Sequence, residues 1–130
     1  MKKKEEYIMT ICWTIALRAS CQKKKVGAVF TNSEYEILTT GYNEAPSKHE
    51  HCDGKTCLDS NGKCQRTTHA EANAIVQAAK NGTILKGAKL FVTCFPCHEC
   101  LKLLINLGIK EIIYSTKSSG LNSIYSKEIK

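Results

Sequence analysis

The chain has 130 residues and a formal net charge of +7, with 42% hydrophobic and 24% charged residues, ordinary values for one soluble globular domain that buries a single core. No stretch reaches the roughly 18 apolar residues of a membrane span, which excludes a membrane-embedded function of that kind. The positive excess, part of it in Lys2-Lys3-Lys4 and the lysine-rich tail, favours an anionic partner such as a nucleotide phosphate or a nucleic acid.

In chain order, residues 5–20 read as an amphipathic helix, because Ile8, Ile11, Cys12 and Ile15 recur at helical spacing. Val26–Phe30 and Glu36–Tyr42 read as two strands of a hairpin, separated by the turn residues Thr31-Asn32-Ser33-Glu34. Residues 43–68 form a cysteine-containing insert, irregular over most of its length, and a loop that long is usually functional or held by something other than its own core. His69–Lys80 is alanine-rich and helical, stopped by Asn81-Gly82. Lys89–Thr93 is a buried strand, Cys97–Leu107 a helix introduced by Pro96 and closed by Gly108, and Glu111–Ser115 a further strand. Residues 116–130 are a short polar tail, and no internal repeat is present. Alternating strands and helices from the middle onward imply a partly parallel sheet covered by helices.

Eight cysteines is a high count. In a secreted chain an even number suggests disulfides. The start of the chain argues against secretion, since Glu5 and Glu6 interrupt the basic run, the apolar residues follow helical spacing, and no small-x-small cleavage site follows. The expected compartment is the reducing cytoplasm, where clustered cysteines are more often metal ligands than bridges.

Chemistry concentrates in two segments, His69-Ala70-Glu71 and Pro96-Cys97-His98-Glu99-Cys100. One imidazole and two thiolates are three ligands for a tetrahedral Zn²⁺ and leave the fourth position open to water. Both segments fall at predicted helix N-termini, where the helix dipole favours thiolates and a first-turn C-x-x-C brings its sulfurs to one side. Glu71, two residues after His69, is placed to take a proton from water in that open position and deliver it elsewhere. The competing readings are a closed structural zinc site, with His98 or Cys94 as fourth ligand, and a redox C-x-x-C. Neither accounts for Glu71.

The pattern H-x-E…P-C-x-x-C is the signature of the zinc nucleobase deaminases, and the chain resembles the deoxycytidylate (dCMP) deaminase family within them, including the bacterial late-competence deaminases. The matching segments are VGAV at 26–29, TGYN at 40–43, HAEANAI at 69–75, GAKLFVTCFPCHEC at 87–100 and LGIKEIIY at 107–114. The resemblance implies a three-layer α/β/α fold over the single domain 1–130, with a mixed, mostly parallel sheet of four to five strands. It implies hydrolysis of dCMP to dUMP and ammonia, feeding dTTP synthesis, with the catalytic zinc on His69, Cys97 and Cys100. Glu71 is then the proton carrier between water, the pyrimidine N3 and the departing amine. Substrate contacts are expected from Asn43 to the sugar 3′-hydroxyl and from the Thr93 carbonyl to the exocyclic amine, with Ala70 beside them. Lys25 is expected on the phosphate, with Lys23 and Lys24 as alternatives. For Asn43 the residue type alone is equally served by a turn, and for the lysines by a solvated charge run.

Members of this family commonly respond to dCTP and dTTP as effectors and form homo-oligomers, and a homo-oligomer is expected here as well. The chain departs from the usual GYNGxPxG motif at Glu44 and Lys48, where side chains stand in place of glycine on a loop that has to approach a triphosphate closely. Cys52, Cys57 and Cys64 lie in the insert with Cys21 upstream. Metal binding is one way to order such a loop, and the resemblance implies a second, structural zinc there, on Cys21, Cys52, Cys57 and Cys64, with His49 or His51 as a substitute ligand. The alternative is free thiols or a disulfide. The alternative function is a deaminase of a base in tRNA or another nucleic acid, which shares both motifs and suits the positive charge.

Overall fold

A computed structural model describes residues 2–19, 24–45, 59–60, 63–64 and 68–116. The elements are α1 (Lys3–Ala16), β1 (Gly27–Thr31), β2 (Ile37–Tyr42), β3 (Asp59–Ser60), β4 (Lys63–Cys64), α2 (Ala70–Lys80), β5 (Lys89–Cys94), α3 (His98–Leu107) and β6 (Glu111–Thr116). Four strands form the main sheet in the order β2-β1-β5-β6. The short pair β3–β4 lies inside the region read from sequence as irregular; the dipeptide between its strands, Asn61-Gly62, is the strongest short hairpin signal a sequence carries.

The sheet is mixed, as expected, but it is not mostly parallel. β1 runs antiparallel to both β2 and β5, and only β5 and β6 are parallel. The reason is the position of the hairpin. β2 folds back on β1, and β1 then enters the sheet between β2 and β5, so the only adjacent strands joined through a helix among the described residues are β5 and β6. The described residues contain four of the four to five strands expected for the main sheet.

Two cores, one on each face, account for the three layers. On one face Ile8, Met9 and Cys12 of α1 pack on Val29 and Phe91. On the other, Ala70, Ala74 and Ala78 of α2 and Leu101 and Leu104 of α3 pack on Ala28, Phe30, Leu90, Val92 and Ile112. Odd and even residues of each strand thus feed opposite cores, as strand geometry requires. Cys12 and Cys94 are buried, as their reading as apolar core residues anticipated. The Cys12 thiol donates to the Phe91 carbonyl at 3.3 Å. Trp13 is half-exposed, and its Nε1 donates to Ser115 Oγ at 3.3 Å, tying α1 to β6.

The helix of greatest consequence is α2, because it carries two of the chemical residues. Its alanines let it lie directly on β2, where Gly41 leaves no side chain in the way. A Cβ at Gly41 would stand 2.4 Å from the Ala70 carbonyl oxygen and 2.5 Å from the Ala74 nitrogen, both backbone atoms. Thr39 Oγ1 donates to the Ala74 carbonyl at 2.9 Å, and Asn73 Nδ2 to the Tyr42 carbonyl at 2.9 Å. Gly41→Ala is therefore expected to destabilise the fold by about 3 kcal/mol or more, the upper end for overpacking, because backbone cannot step aside as a side chain can. Urea unfolding of the two proteins measures this; an unchanged midpoint would mean that α2 rides more loosely on β2 than its contacts indicate.

Candidate active site

The site lies at the end of the sheet where β2 and β5 finish and α2 and α3 begin. His69 is the N-cap of α2, and Cys97 the N-cap of α3. Glu71 and Cys100 therefore sit in the first turns of their helices, where unpaired backbone N–H groups favour negative charge. Two connections hold the halves in place. Glu44, just past β2, forms an isolated antiparallel bridge with Thr68, with N···O distances of 2.9 and 3.3 Å, which fixes the residue before His69. At the other half, the Gly27 amide donates to Thr93 Oγ1 at 3.2 Å, and the Phe95 amide to the Thr116 carbonyl at 3.0 Å. The approach to Cys97 is thus braced by both neighbouring strands.

Nδ1 of His69, Sγ of Cys97 and Sγ of Cys100 all lie within 4.8 Å of one another. Nδ1 is 3.3 Å from the Cys100 sulfur and 3.5 Å from the Cys97 sulfur. Ligands of a tetrahedral zinc, with Zn–S near 2.3 Å and Zn–N near 2.0 Å, are separated by roughly 3.5 Å between nitrogen and sulfur. The donor set and its spacing fit a zinc ion bound through Nδ1. Among the described residues no fourth His, Cys, Asp or Glu joins this cluster, so neither His98 nor Cys94 closes it. His69 is exposed, Cys97 half-buried and Cys100 buried, which leaves the open side of the cluster toward His69.

The protonation states suit the same role. The Cys100 thiol, donating to the Cys97 sulfur, holds Cys97 well below the usual thiol range, with help from His69. The same hydrogen bond, with burial and the negative charge of Glu71, pushes the Cys100 thiol up. Metal binding at this pair has to displace the remaining thiol proton.

Glu71 is 5% exposed. Burial pushes its carboxyl up from 4.5 to about 7, against the opposing effects of a hydrogen bond from its own backbone and the positive charges of His69 and Lys24. A carboxyl with that affinity both takes and returns a proton near neutrality. A group whose folded pKa is raised stabilises the fold fully below its unfolded pKa and loses that contribution as pH rises through the folded value. In metal-free protein the window is pH 4.5 to 7 for Glu71. Cys97 titrates in the opposite sense, so the measurement is the stability difference between the wild type and Glu71→Gln. That difference should fall by about 2–3 kcal/mol across the window. A difference that stays flat would mean that Glu71 ionises as freely in the fold as in the unfolded chain.

Asn43 is 6% exposed, and its amide is already engaged: Oδ1 accepts from the Val26 amide at 2.8 Å and Nδ2 donates to the Lys24 carbonyl at 2.6 Å. One N–H and one lone pair remain. Thr93 is buried, and its carbonyl accepts from Thr116 Oγ1 at 2.9 Å while facing β6 in the ladder. Ala70 is buried as the first residue of α2. Lys24 and Lys25 are both exposed at the entry to β1, but it is Lys24 whose charge reaches Glu71. Cys21, Cys52 and Cys57 and the side chain of Cys64, together with His49, His51 and Lys23, lie outside the described residues. No helix of the described residues is long and apolar enough to cross a membrane.

The arrangement has counterparts in known proteins. The chain is 37% identical over 110 residues to ComE operon protein 2 of Bacillus subtilis (strain 168), covering 85% of this chain and 58% of that protein. It is 37% identical over 121 residues to the deoxycytidylate deaminase of Homo sapiens, covering 84% of this chain and 62% of that one. It thus spans about three fifths of the length of these curated relatives. Among solved structures, the dCMP deaminase of cyanophage S-TIM5 in complex with dCMP and dUMP superposes with a TM-score of 0.85 at 29% identity, over 100% of this chain and 96% of that one. Residues 2–116, which include both halves of the metal cluster and Glu71, match the cytidine and deoxycytidylate deaminase zinc-binding region, and the chain belongs to that family.

Proposed function

We propose that this chain is a dCMP deaminase, a single deaminase domain that hydrolyses dCMP to dUMP and ammonia and so feeds dTTP synthesis. The observation that carries the reading is a buried carboxyl with a pKa of about 7, two residues from a three-ligand metal cluster. The family and the dCMP-bound structural relative supply the substrate class. His69, Cys97 and Cys100 are the residues that hold the zinc, which when bound supplies a Lewis acid that makes water acidic enough to lose a proton near neutral pH.

The remaining steps belong to the protein. As the water oxygen bonds to C4, Glu71 takes one proton from the water and passes it to the pyrimidine N3; it then takes the proton of the new C4 hydroxyl and gives it to the amine, so that the C4–N bond breaks, ammonia leaves and the C4 carbonyl forms. The burial of Glu71 keeps bulk water from competing for these protons. The free N–H of Asn43 is offered to a sugar hydroxyl, the Thr93 carbonyl to the exocyclic amine, and the start of α2 at Ala70 to the base. The phosphate falls to the lysines of the 24–25 segment. A reducing, cytoplasmic setting keeps the ligand thiols available. A homo-oligomer, effector binding by dCTP and dTTP, and a second zinc on Cys21, Cys52, Cys57 and Cys64 rest on the family resemblance and on the cysteine spacing.

The test is the loss of cytosine absorbance when zinc-loaded protein meets dCMP, with cytidine, deoxycytidine and dCTP in parallel. Turnover of dCMP alone supports the reading. No turnover of dCMP, with or without dCTP added as activator, overturns it.

A further inference from the structure

β2 ends at Tyr42, the last of its residues paired with β1. Asn43 and Glu44 therefore lie beyond the β1–β2 ladder, and other contacts have to hold them. On the sheet side, the Asn43 amide bonds the Lys24 carbonyl and the Val26 amide. On the helix side, two connections flank it. Glu44 is bridged to Thr68, the residue before His69. Asn73 Nδ2 donates to the Tyr42 carbonyl at 2.9 Å. The stretches 42–44 and 68–73 are thus joined at both ends, with Asn43 between the two joints on one side and His69 and Glu71 between them on the other. Asn73 also closes the turn that carries those two residues, since its backbone amide donates to the His69 carbonyl at 2.8 Å. One residue fastens the first turn of α2 to itself through its main chain and to the end of β2 through its side chain.

Asparagine is a poor helix former, because its amide competes for nearby backbone groups. Here the amide reaches across to another element instead. Thr39 grips the same helix, at the Ala74 carbonyl, but three residues back along β2, about 10 Å from Tyr42. The Asn73 bond is the one at the site end. Its place matters because the two halves of the site ride on different elements. His69 and Glu71 belong to α2, whereas Asn43 is tied to the sheet through residues 24 and 26. A nucleotide engaged by both halves spans a fixed distance, and a misplacement of about 1 Å between them can cost roughly 100-fold in rate.

We propose that Asn73 is a positioning residue of the reaction, whose amide holds the first turn of α2 in register with the end of β2 and so sets the separation between Glu71 and the sugar bound at Asn43. The inference rests on the reading of the reaction as deamination of dCMP with Asn43 on the sugar hydroxyl.

The experiment is steady-state kinetics of zinc-loaded wild type, Asn73→Ala and Asn73→Asp, each with dCMP and with 2′,3′-dideoxycytidine 5′-monophosphate, which lacks the 3′-hydroxyl. Zinc content and thermal unfolding are recorded for each protein. Asn73→Asp keeps the shape of the side chain but sets an acceptor against the Tyr42 carbonyl; Asn73→Ala deletes a half-buried group. Wild type should lose about 10- to 100-fold in kcat/KM when the 3′-hydroxyl is absent, the effect of one well-placed hydrogen bond. Both variants should keep their zinc and lose a similar factor with dCMP, yet lose less than about threefold with the dideoxynucleotide, because the contact they misalign is already missing there. A penalty of equal size on the two substrates, activity equal to wild type on both, loss of zinc from the variants, or failure of both variants to fold overturns the positioning role. If Asn73→Asp alone fails to fold, Asn73→Ala decides. Wild type that does not turn over dCMP overturns the reading of the reaction. Active wild type indifferent to the 3′-hydroxyl overturns the sugar contact of Asn43, and this inference with it. Active wild type that needs the hydroxyl, beside variants penalised equally on both substrates, overturns this inference alone.

Discussion

Glu71→Gln should lower kcat by about three to four orders of magnitude, toward the upper end for a general acid–base residue, while the protein keeps its full complement of catalytic zinc. Glutamine has nearly the volume and shape of glutamate, so the first turn of α2 and the packing of Ala70 and Ala74 on the sheet are preserved. What disappears is the ability to carry a proton. Two protons are relayed through this one carboxyl in the proposed reaction, and no other described carboxylate is buried, so no neighbour is placed to take over. Metal analysis of the variant, set beside its kinetics, separates the two ways activity can fail. Inactive protein with zinc bound assigns Glu71 to proton transfer. Inactive protein without zinc would instead give Glu71 a role in holding the metal, and activity within tenfold of wild type would remove it from the mechanism.

The features of the chain that were legible in its sequence are those set by local chemistry. His69 and Cys97 were read as the starts of two helices, and they are their N-caps. The alanines of α2, the Pro96 entry and the Gly108 exit all act within a turn or two of where they stand, and Gly108 indeed adopts the left-handed conformation that ends α3. Sheet order was not local. Nothing in the residues of β1 states that it will lie between β2 and β5, antiparallel to both, because that depends on which hydrophobic faces meet after the hairpin has closed. The expectation of a mostly parallel sheet failed for this reason.

The same distinction runs through the site. The metal ligands and Glu71 are close in two short motifs, so spacing alone brought them together. Asn43 and Lys24 are 19 positions apart, and their hydrogen bond exists only because β1 and β2 pair with Gly27 opposite Tyr42. Asn43 invited two opposed readings, a sugar ligand or a turn residue. The fold gives it a third use, a buried amide that fixes a neighbouring segment, and that use became visible only once the hairpin register was known.

Removing a metal ligand should have a wider effect than removing the proton carrier, because the ligands belong to the fold as well as to the reaction. Cys100→Ala is the sharpest case. Cys100 is 4% exposed, and its sulfur lies 3.3 Å from His69 Nδ1. Its loss leaves two donors, one of them the exposed His69 at the rim, and two donors on separate helices hold zinc far more weakly than three. The variant is expected to be purified without catalytic zinc and to show no turnover above background. It should also lose the stability that metal lends the wild type. A ligand that binds only the folded state stabilises it by RT ln(1 + [L]/Kd), about 4 kcal/mol when free metal is a thousandfold above Kd. Wild type should therefore show a higher unfolding midpoint with zinc than after chelation, and Cys100→Ala should show a smaller shift, limited to what the proposed second zinc contributes. If the wild-type midpoint ignored chelation while activity vanished, zinc would serve the reaction alone, and the cluster at the starts of α2 and α3 would hold its shape without it. Retention of one zinc by both wild type and Cys100→Ala would mean that the bound metal sits elsewhere, and the assignment of His69, Cys97 and Cys100 as the catalytic site would fall.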